Sequence, residues 1–115
     1  MTRVAYLGPA GTFTEEAALR FGIEDAQYVP VESPAAALAA LDAGEAEYAV
    51  CAIENSIDGA VTTTMDALAA TENARIVGEI ELAIAFAVMT RQGHTLSDAL
   101  RLSTHPVAHQ QVKRW

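Results

Sequence analysis

The sequence predicts an α/β fold built on a parallel sheet, and two kinds of pattern support this. Short apolar runs typical of buried parallel strands recur along the first half of the chain. Between these runs lie segments with apolar residues at helical spacing, bounded by residues that commonly start and end helices. The resulting order is β-α-β-α-β-α-β, in which each helix carries the chain back to begin another parallel strand.

The first strand and helix lie at the N-terminus. Val4 to Leu7 is an apolar run that ends at Gly8, as a buried parallel strand would. Thr12 and Glu15 have the spacing of a capping box, so we expect a helix to begin after Thr12. Gly22 is expected to end this helix. The face predicted to pack against the sheet consists of Phe13, Ala17 and Phe21.

Two further strands and two further helices follow the same pattern. A short strand is expected around Gln27 to Val29, and Tyr48 to Ile53 is a longer apolar strand. Between them, Ser33 and Pro34 form a cap followed by a first-turn proline, and Gly44 is expected to end that helix. The predicted buried positions of the second and third helices are Leu38 and Leu41, and Val61, Met65 and Leu68.

Residues 80–88 alternate between larger apolar side chains and glutamate or alanine, a period of two that predicts a strand, which we count from Ile76 to Met89. Strands usually have about 5–6 residues, and this run is more than twice as long. At about 3.3 Å per residue it would extend about 45 Å, which is more than the width of one small sheet. Either the strand bends, or it leaves one lobe and enters another. We favour the second explanation, which divides the chain into a first α/β lobe (1–75), a crossover strand (76–89) and the start of a second lobe (90–115).

The segment after the crossover predicts only a small part of a second lobe. We expect a short helix at Ser97 to Leu100, a brief strand at Leu102 to Thr104, and a helix from Pro106 that continues to Trp115. No glycine or other stop signal follows Pro106, and few strands are available to cover these helices. The chain is therefore expected to stop before the second lobe is complete.

The composition indicates a globular protein and excludes several classes of partner. The formal net charge is −8, with 7 basic and 15 acidic residues, which argues against nucleic acid and membrane as partners. Both are bound through clustered lysine and arginine. The single cysteine, Cys51, allows no intramolecular disulfide, which fits a reducing compartment. The N-terminal apolar run is too short for a secretory signal, and no apolar stretch approaches the roughly 20 residues of a membrane span. We therefore expect a cytoplasmic protein.

Two polar segments follow predicted strands, at the edge where open α/β sheets bind ligands. Gly8 to Thr12 joins a strand to a helix, and its glycines fit either a tight turn or an anion site at a helix N-terminus. It lacks the lysine of a phosphate-binding loop. Glu54, Asn55 and Ser56 follow the third strand and offer both hydrogen-bond donors and acceptors. The alternative for this second segment is a solvated carboxylate followed by a helix cap.

Two other residue types that often carry chemistry are expected to have structural roles. His105 and His109 have the spacing of a metal pair, but no acidic residue stands where a zinc protease helix would need one and no third ligand is evident. We therefore expect no metal site. Cys51 lies within an apolar strand, so its thiol is expected to pack in the core rather than to act as a nucleophile.

Three motifs in series resemble those of the prephenate dehydratase family. The segment from Val4 to Glu15 resembles the family's opening motif almost residue for residue. The segment from Glu54 to Val61 resembles the second motif, which continues through Thr64, Asp66 and Leu68. Thr104, His105, Pro106 and Gln111 resemble the third motif. In the family, serine usually precedes the histidine, and cysteine often stands at the position of Val112. Together the motifs span nearly the whole chain in the family's order.

The resemblance implies a two-lobed fold like that of type II periplasmic binding proteins, with prephenate held in the cleft between the lobes. In the family, a carbon–oxygen lyase reaction removes CO2 and water from prephenate and gives phenylpyruvate for L-phenylalanine biosynthesis. Because the ring becomes aromatic, the protein has mainly to hold the dianion and protonate the leaving hydroxyl. No metal or organic cofactor is implied, and a homo-oligomer is expected. The residues that the resemblance places at the substrate are Thr12, Glu54, Asn55, Ser56, Thr104 and Gln111.

The sequence also departs from the family pattern. Family members carry a Thr-Arg-Phe motif late in the dehydratase domain, whose threonine is taken as the catalytic acid and whose arginine binds the carboxylates. This motif is absent, since Thr90, Arg91 and Gln92 only begin like it. We also expect this chain to lack the family's C-terminal ACT domain, which senses phenylalanine. We therefore expect no catalytic acid in this chain. The alternatives to a fragment of the enzyme are a non-catalytic module of the same fold that binds small carboxylates, or an inert fragment.

Overall fold

The computed structural model describes residues 1–112 and 114, which fall into two compact units, Met1–Leu82 and Ala83–Trp115. The first unit contains three strands that form one sheet: β1 (Thr2–Leu7), β2 (Ala26–Val31) and β3 (Tyr48–Val50). The order in the sheet is β2-β1-β3, and β1 pairs in parallel with both neighbours. The predicted parallel α/β sheet is therefore confirmed.

Three helices connect and follow these strands. They are α1 (Phe13–Arg20), α2 (Pro34–Asp42) and α3 (Thr62–Ala70). The hydroxyls of Thr12 and Ser33 accept hydrogen bonds from the backbone N–H three residues further on, at 3.3 and 3.0 Å, so both predicted caps are confirmed. Gly22 and Gly44 follow α1 and α2 with φ of 65° and 70°, in the left-handed region where glycine ends helices without strain.

The central strand is buried on both of its faces, as a parallel strand between two helical layers should be. On one face Val4 and Tyr6 form a cluster with Ala18 of α1. On the other face Ala5 forms a cluster with Ala37 of α2. All five side chains are at most 1% exposed, so the core of this unit is built where the two helices meet β1.

The helices bury smaller side chains than the sequence predicts. Phe13 and Phe21 of the first predicted face are 38% and 39% exposed, and Met65 of the third helix is 46% exposed. The buried residues of these helices are Ala18 and Thr64. Small side chains at the contact let a helix lie close to the structure beneath it, which leaves the larger side chains at the rim. The stripe predicted for α2 is confirmed at Leu38, which is 7% exposed.

The third strand is shorter than predicted, and a small hairpin follows it. β3 ends at Val50 rather than Ile53. Val50 pairs with Tyr6, and β1 ends one residue later, so it offers no partner for a longer β3. The chain then forms two antiparallel strands, β4 (Glu54–Asn55) and β5 (Gly59–Ala60). The polar segment therefore begins its own two-stranded element instead of directly following a buried strand.

Residues 76–89 form neither helix nor strand in the structure, in contrast to the predicted crossover strand. A strand requires backbone hydrogen bonds to a neighbour, and no such neighbour pairs with this segment among the described residues. Ile76, Val77 and Met89 are 69%, 81% and 89% exposed. The boundary between the two units, after Leu82, falls within this segment. The division into lobes at residues 75 and 90 stays a prediction.

The second unit contains two short helical elements. A 3₁₀ turn spans Leu96–Asp98, close to the predicted short helix, and α4 spans Pro106–Gln111. The strand predicted at Leu102 to Thr104 is wrong, because no described strand lies beside it. The last predicted helix begins at Pro106 as expected but ends at Gln111, and Lys113 and Trp115 lie outside the described residues. Within the described part of the chain, no helix has the length and apolar character needed to cross a membrane.

Candidate functional site

The turn between β1 and α1 is held by hydrogen bonds from Thr12. Its hydroxyl donates to the carbonyl of Leu7 at 3.2 Å and accepts from the amide of Glu15 at 3.3 Å. The hydroxyl has only one proton, and that proton is directed at Leu7. Thr12 therefore serves as a helix cap in this structure, and a direct contact with a substrate carboxylate would require it to exchange partners.

The Glu15 carboxylate joins this turn to the central strand. One oxygen accepts from the backbone N–H of Gly11 at 2.5 Å, and the other accepts from the phenol of Tyr6 at 3.1 Å. Tyr6 is 1% exposed. Burial, and then the hydrogen bond to Glu15 and its negative charge, raise the pKa of Tyr6 above its ordinary value. The turn that carries the opening motif is thus fixed to the core through one carboxylate.

Sequence reasoning missed this link between Tyr6, Glu15 and Gly11. The spacing of Thr12 and Glu15 predicts that the Glu15 carboxylate accepts a hydrogen bond from the backbone N–H of Thr12. In the structure it accepts from the backbone N–H of Gly11, one residue earlier. A tyrosine within an otherwise apolar strand was the available signal, because a buried phenol needs a hydrogen-bond partner.

The β4–β5 hairpin presents the second polar segment. The side-chain oxygen of Asn55 accepts from the backbone N–H groups of Ile57 at 2.9 Å and Asp58 at 3.3 Å, forming an Asx turn. Its oxygen is occupied by these two bonds, and its NH2 group makes no hydrogen bond to any described residue. Glu54 and Ser56 are exposed, and neither side chain forms a hydrogen bond or ion pair with a described residue. The hairpin therefore offers one amide donor, one carboxylate and one hydroxyl to a ligand.

Both predicted segments of the first unit lie beyond the carboxyl ends of neighbouring parallel strands. Thr12 follows β1, and Glu54 follows β3, which pairs with β1. Because parallel strands point the same way, their carboxyl ends meet at one edge of the sheet. The structure thus places Thr12 and the Glu54–Ser56 segment on the same edge.

A separate cavity of about 640 Å³ opens at the ends of β1 and β2. Its walls are mostly apolar, and among the described residues that line it the only charged one is Glu32, which does not suit a dianionic ligand. The cavity opens at the same carboxyl edge of the sheet, but none of the predicted substrate residues lines it, and we therefore take the hairpin as the candidate site. The lining residues are Gly8, Pro9, Pro30, Val31, Glu32 and Ala36.

The third motif lies in the second unit at the start of α4. His105 caps this helix, since its Nδ1 accepts from the amide of Val107 at 3.2 Å. Thr104 is exposed, with its hydroxyl at 3.5 Å from the carbonyl of His105, and Gln111 is half-buried at the helix end. Among the described residues, no group of three or more His, Cys, Asp or Glu side chains is placed to hold a metal ion. His105 therefore has a capping role in this structure.

Cys51 is half-buried and packs against the core of the first unit. It lies just beyond β3 and contacts the cluster that contains Ala5, Ala37 and Ala46. Burial raises the pKa of its thiol, which disfavours the thiolate needed of a nucleophile. The structure thus supports the packing role expected from its apolar surroundings.

Comparison with known proteins decides the family. The family model described as prephenate dehydratase matches residues 4–115. The chain belongs to the prephenate dehydratase family. A prephenate dehydratase of Corynebacterium glutamicum is 51% identical over 99% of this chain, and those of Mycobacterium bovis and Mycobacterium marinum are 43% and 44% identical over its whole length.

This chain spans 38% to 39% of the length of these curated relatives of the prephenate dehydratase family. No solved structure matches it. The six residues that the family resemblance places at the substrate divide between the two units, with Thr12, Glu54, Asn55 and Ser56 in the first and Thr104 and Gln111 in the second. Their role in binding stays a prediction.

Proposed function

We propose that this chain binds prephenate at the β4–β5 hairpin and takes part in its conversion to phenylpyruvate, a carbon–oxygen lyase reaction of L-phenylalanine biosynthesis. The observation that carries the proposal is the side chain of Asn55. Its oxygen is held by the Asx turn, so its NH2 group is left to donate to a ligand. The match to the prephenate dehydratase family over residues 4–115 supports prephenate as that ligand.

The reaction needs one proton and little else from the protein. When the ring carboxylate leaves as CO2, its electron pair completes the aromatic ring and displaces the ring hydroxyl, which leaves as water after gaining a proton. Glu54 is negatively charged and would repel either carboxylate of prephenate, so we assign it to accept a hydrogen bond from the ring hydroxyl. Asn55 then donates to a carboxylate or to the hydroxyl oxygen, and Ser56 offers a second donor.

The rest of the family's site is proposed to lie in a second lobe. We assign Thr104 and Gln111 to contact the substrate from that lobe, in a two-lobed fold like that of type II periplasmic binding proteins. The division of the chain into two units supports this assignment. We also propose a homo-oligomer in the cytoplasm. Assembly would cover large apolar side chains that are exposed by 60% or more. They are Met1, Ile57, Ile76, Val77, Met89, Leu100 and Leu102.

Calorimetric titration of the chain with prephenate tests the proposal. Asn55→Ala removes the proposed donor and should weaken binding about tenfold, the usual effect of losing a hydrogen bond to a charged group. Asn73→Ala is the control, because it truncates an asparagine outside the hairpin; Asn73 is exposed, whereas Asn55 is half-buried. Equal binding by Asn55→Ala and Asn73→Ala would contradict the proposed site.

A complementation experiment separates an enzyme from a binding module. The remainder of the Corynebacterium glutamicum relative, beyond the region matched by this chain, is added to the chain together with prephenate. An enzyme role predicts that phenylpyruvate forms only when both parts are present, since the chain has no Thr-Arg-Phe motif. Prephenate binding with no product in the mixture would favour the small-carboxylate binding module.

A further inference from the structure

Charge is distributed very unevenly along this acidic chain. Residues 83–115 contain four of the seven Lys and Arg residues but only one of the fifteen Asp and Glu residues, Asp98. The second unit is therefore net positive, although the chain as a whole carries a charge of −8. A locally positive surface on an acidic protein attracts small anions specifically to that surface.

Part of this positive charge lines a cleft of about 290 Å³ that lies wholly within the second unit. Its volume lies at the lower limit for small-molecule sites, so it suits a compact ligand. Arg91, His94 and Arg101 are on its walls, together with one acidic residue, Asp98. The remaining lining residues are Met89, Thr90, Thr95 and Ala99.

Local hydrogen bonds fix the loop that forms the cleft. The Thr90 hydroxyl donates to the carbonyl of His94 at 2.9 Å, and the His94 amide donates to the carbonyl of Arg91 at 3.0 Å. The Asp98 carboxylate accepts from the amide of Thr95 at 2.8 Å and from its hydroxyl at 3.1 Å. Both bonds go to Oδ2 of Asp98, which caps the 3₁₀ turn, so the cleft carries one negative charge beside its two arginines. The hydrogen bonds between residues 90 and 98 hold the backbone of this loop.

The two arginines of the cleft have no carboxylate partner among the described residues. Arg20 of α1 shows the contrast, since it forms an ion pair with Glu16 at 2.7 Å. No described Asp or Glu lies within 4.0 Å of the guanidinium of Arg91 or Arg101. Their donors remain available to an anion, and guanidinium groups match carboxylate and phosphate oxygens well.

We propose that this cleft is a binding site for a small dianion, either an inorganic phosphate or a short dicarboxylate, held by Arg91 and Arg101 with His94 beside them. The site goes beyond the prephenate function, because it uses none of the residues assigned to the hairpin edge. Two guanidinium groups around one small cleft favour a ligand with two negative charges over a monovalent ion. Exposed charges contribute modestly, so each arginine is expected to change affinity about fivefold.

Phosphate and malonate titrations of the isotope-labelled chain, followed by NMR at constant ionic strength, test this site. Saturable shifts confined to residues 89–101 are expected with phosphate, malonate or both, and the pair of titrations identifies which chemistry is preferred. Chloride at the same ionic strength should give no saturable shift there. Absence of saturation with both dianions would overturn the proposal.

Variants that neutralise single arginines make the test specific. Arg91→Gln and Arg101→Gln should each weaken binding about fivefold, and the double variant should abolish saturation in the same range. Arg75→Gln is the matched control, since it removes the same charge from an exposed position outside the cleft. Unchanged affinity in the double variant, or an equal loss in Arg75→Gln, would show that the anion binds elsewhere or only through net charge.

Discussion

Replacing Gly8 with alanine adds a methyl group just beyond the end of β1, where the chain lies against Pro30 and Val31 of β2. A Cβ atom on residue 8 would lie 2.7 Å from the Cβ of Pro30, and 3.5 Å from the carbonyl oxygen of Val31. Unbonded carbons attract best at about 3.5–4.0 Å, so the two strand ends would have to separate by about 1 Å. That movement would stretch the hydrogen bond from the Gly8 amide to the Val31 carbonyl, now 2.9 Å.

The expected cost of Gly8→Ala is about 1–2 kcal/mol. Overpacking a tight contact costs roughly 1–3 kcal/mol, and the lower entropy of alanine in the unfolded chain offsets about 0.4–1 kcal/mol of this. For a unit of this size, about 1 kcal/mol shifts Tm by about 4–8 °C. Thermal unfolding followed by circular dichroism should therefore show Tm lower by at least about 4 °C.

Gly78→Ala is the matched control for this substitution. Gly78 also has an ordinary φ, and among the described residues its added Cβ would meet only the ring of Phe21, at 3.2 Å from Cε1 and 4.0 Å from Cζ. Phe21 is 39% exposed and its ring can move aside, so we expect a change of less than about 0.5 kcal/mol. A Tm of Gly8→Ala within experimental error of the parent, or a larger loss in Gly78→Ala, would refute the reasoning.

Three further predictions concern the buried groups and the hairpin. Because the pKa of Tyr6 is raised, the folded state holds the phenol proton more tightly than the unfolded state does. The stability that this group contributes is therefore fully present below pH about 10 and is lost as the pH rises above it. Urea titrations of Tyr6→Phe should lack this decline, and should show a loss of about 1 kcal/mol at neutral pH. The raised thiol pKa of Cys51 predicts that the folded chain reacts slowly with a disulfide reagent at pH 8. The reaction should become faster once the chain is unfolded in urea, and equal rates in the two states would contradict the packing role of Cys51. Asn55→Asp keeps the Asx-turn oxygen but replaces the NH2 group by a charge, so prephenate binding should fall more than in Asn55→Ala, while Tm changes by less than about 4 °C.

Local signals in the sequence were sufficient for most of the first unit. The caps at Thr12 and Ser33 and the glycines at 22 and 44 each act within a few residues, so the bounds of α1 and α2 could be predicted closely. The end of β3 could not, because it depends on where β1 ends, far away in the sequence. The faces of α1 and α3 were mispredicted for a similar reason, since closeness of packing against the sheet decides, for example, whether Ala18 or Phe13 is buried.

The extended segment 76–89 shows the limit of periodicity. Its alternating side chains are compatible with a strand. A strand also needs backbone hydrogen bonds to a second strand, and the local sequence does not specify that partner. At the site, the positions of Glu54 and Asn55 beyond β3 were predicted, whereas the direction of the Asn55 amide was not. That direction is set by two backbone N–H groups in the turn that follows, at Ile57 and Asp58.

The most direct measurement of the proposed role is an NMR titration of the isotope-labelled chain with prephenate, observed at the side-chain NH2 of Asn55. Donation to the substrate predicts a saturable shift of these two protons, together with the backbone amides of Glu54 and Ser56, at the same prephenate concentration that saturates the calorimetric signal. The resonances of the Asn73 side chain should stay unchanged. Saturable prephenate binding that leaves the Asn55 NH2 group unshifted, or no binding at all, would contradict the account.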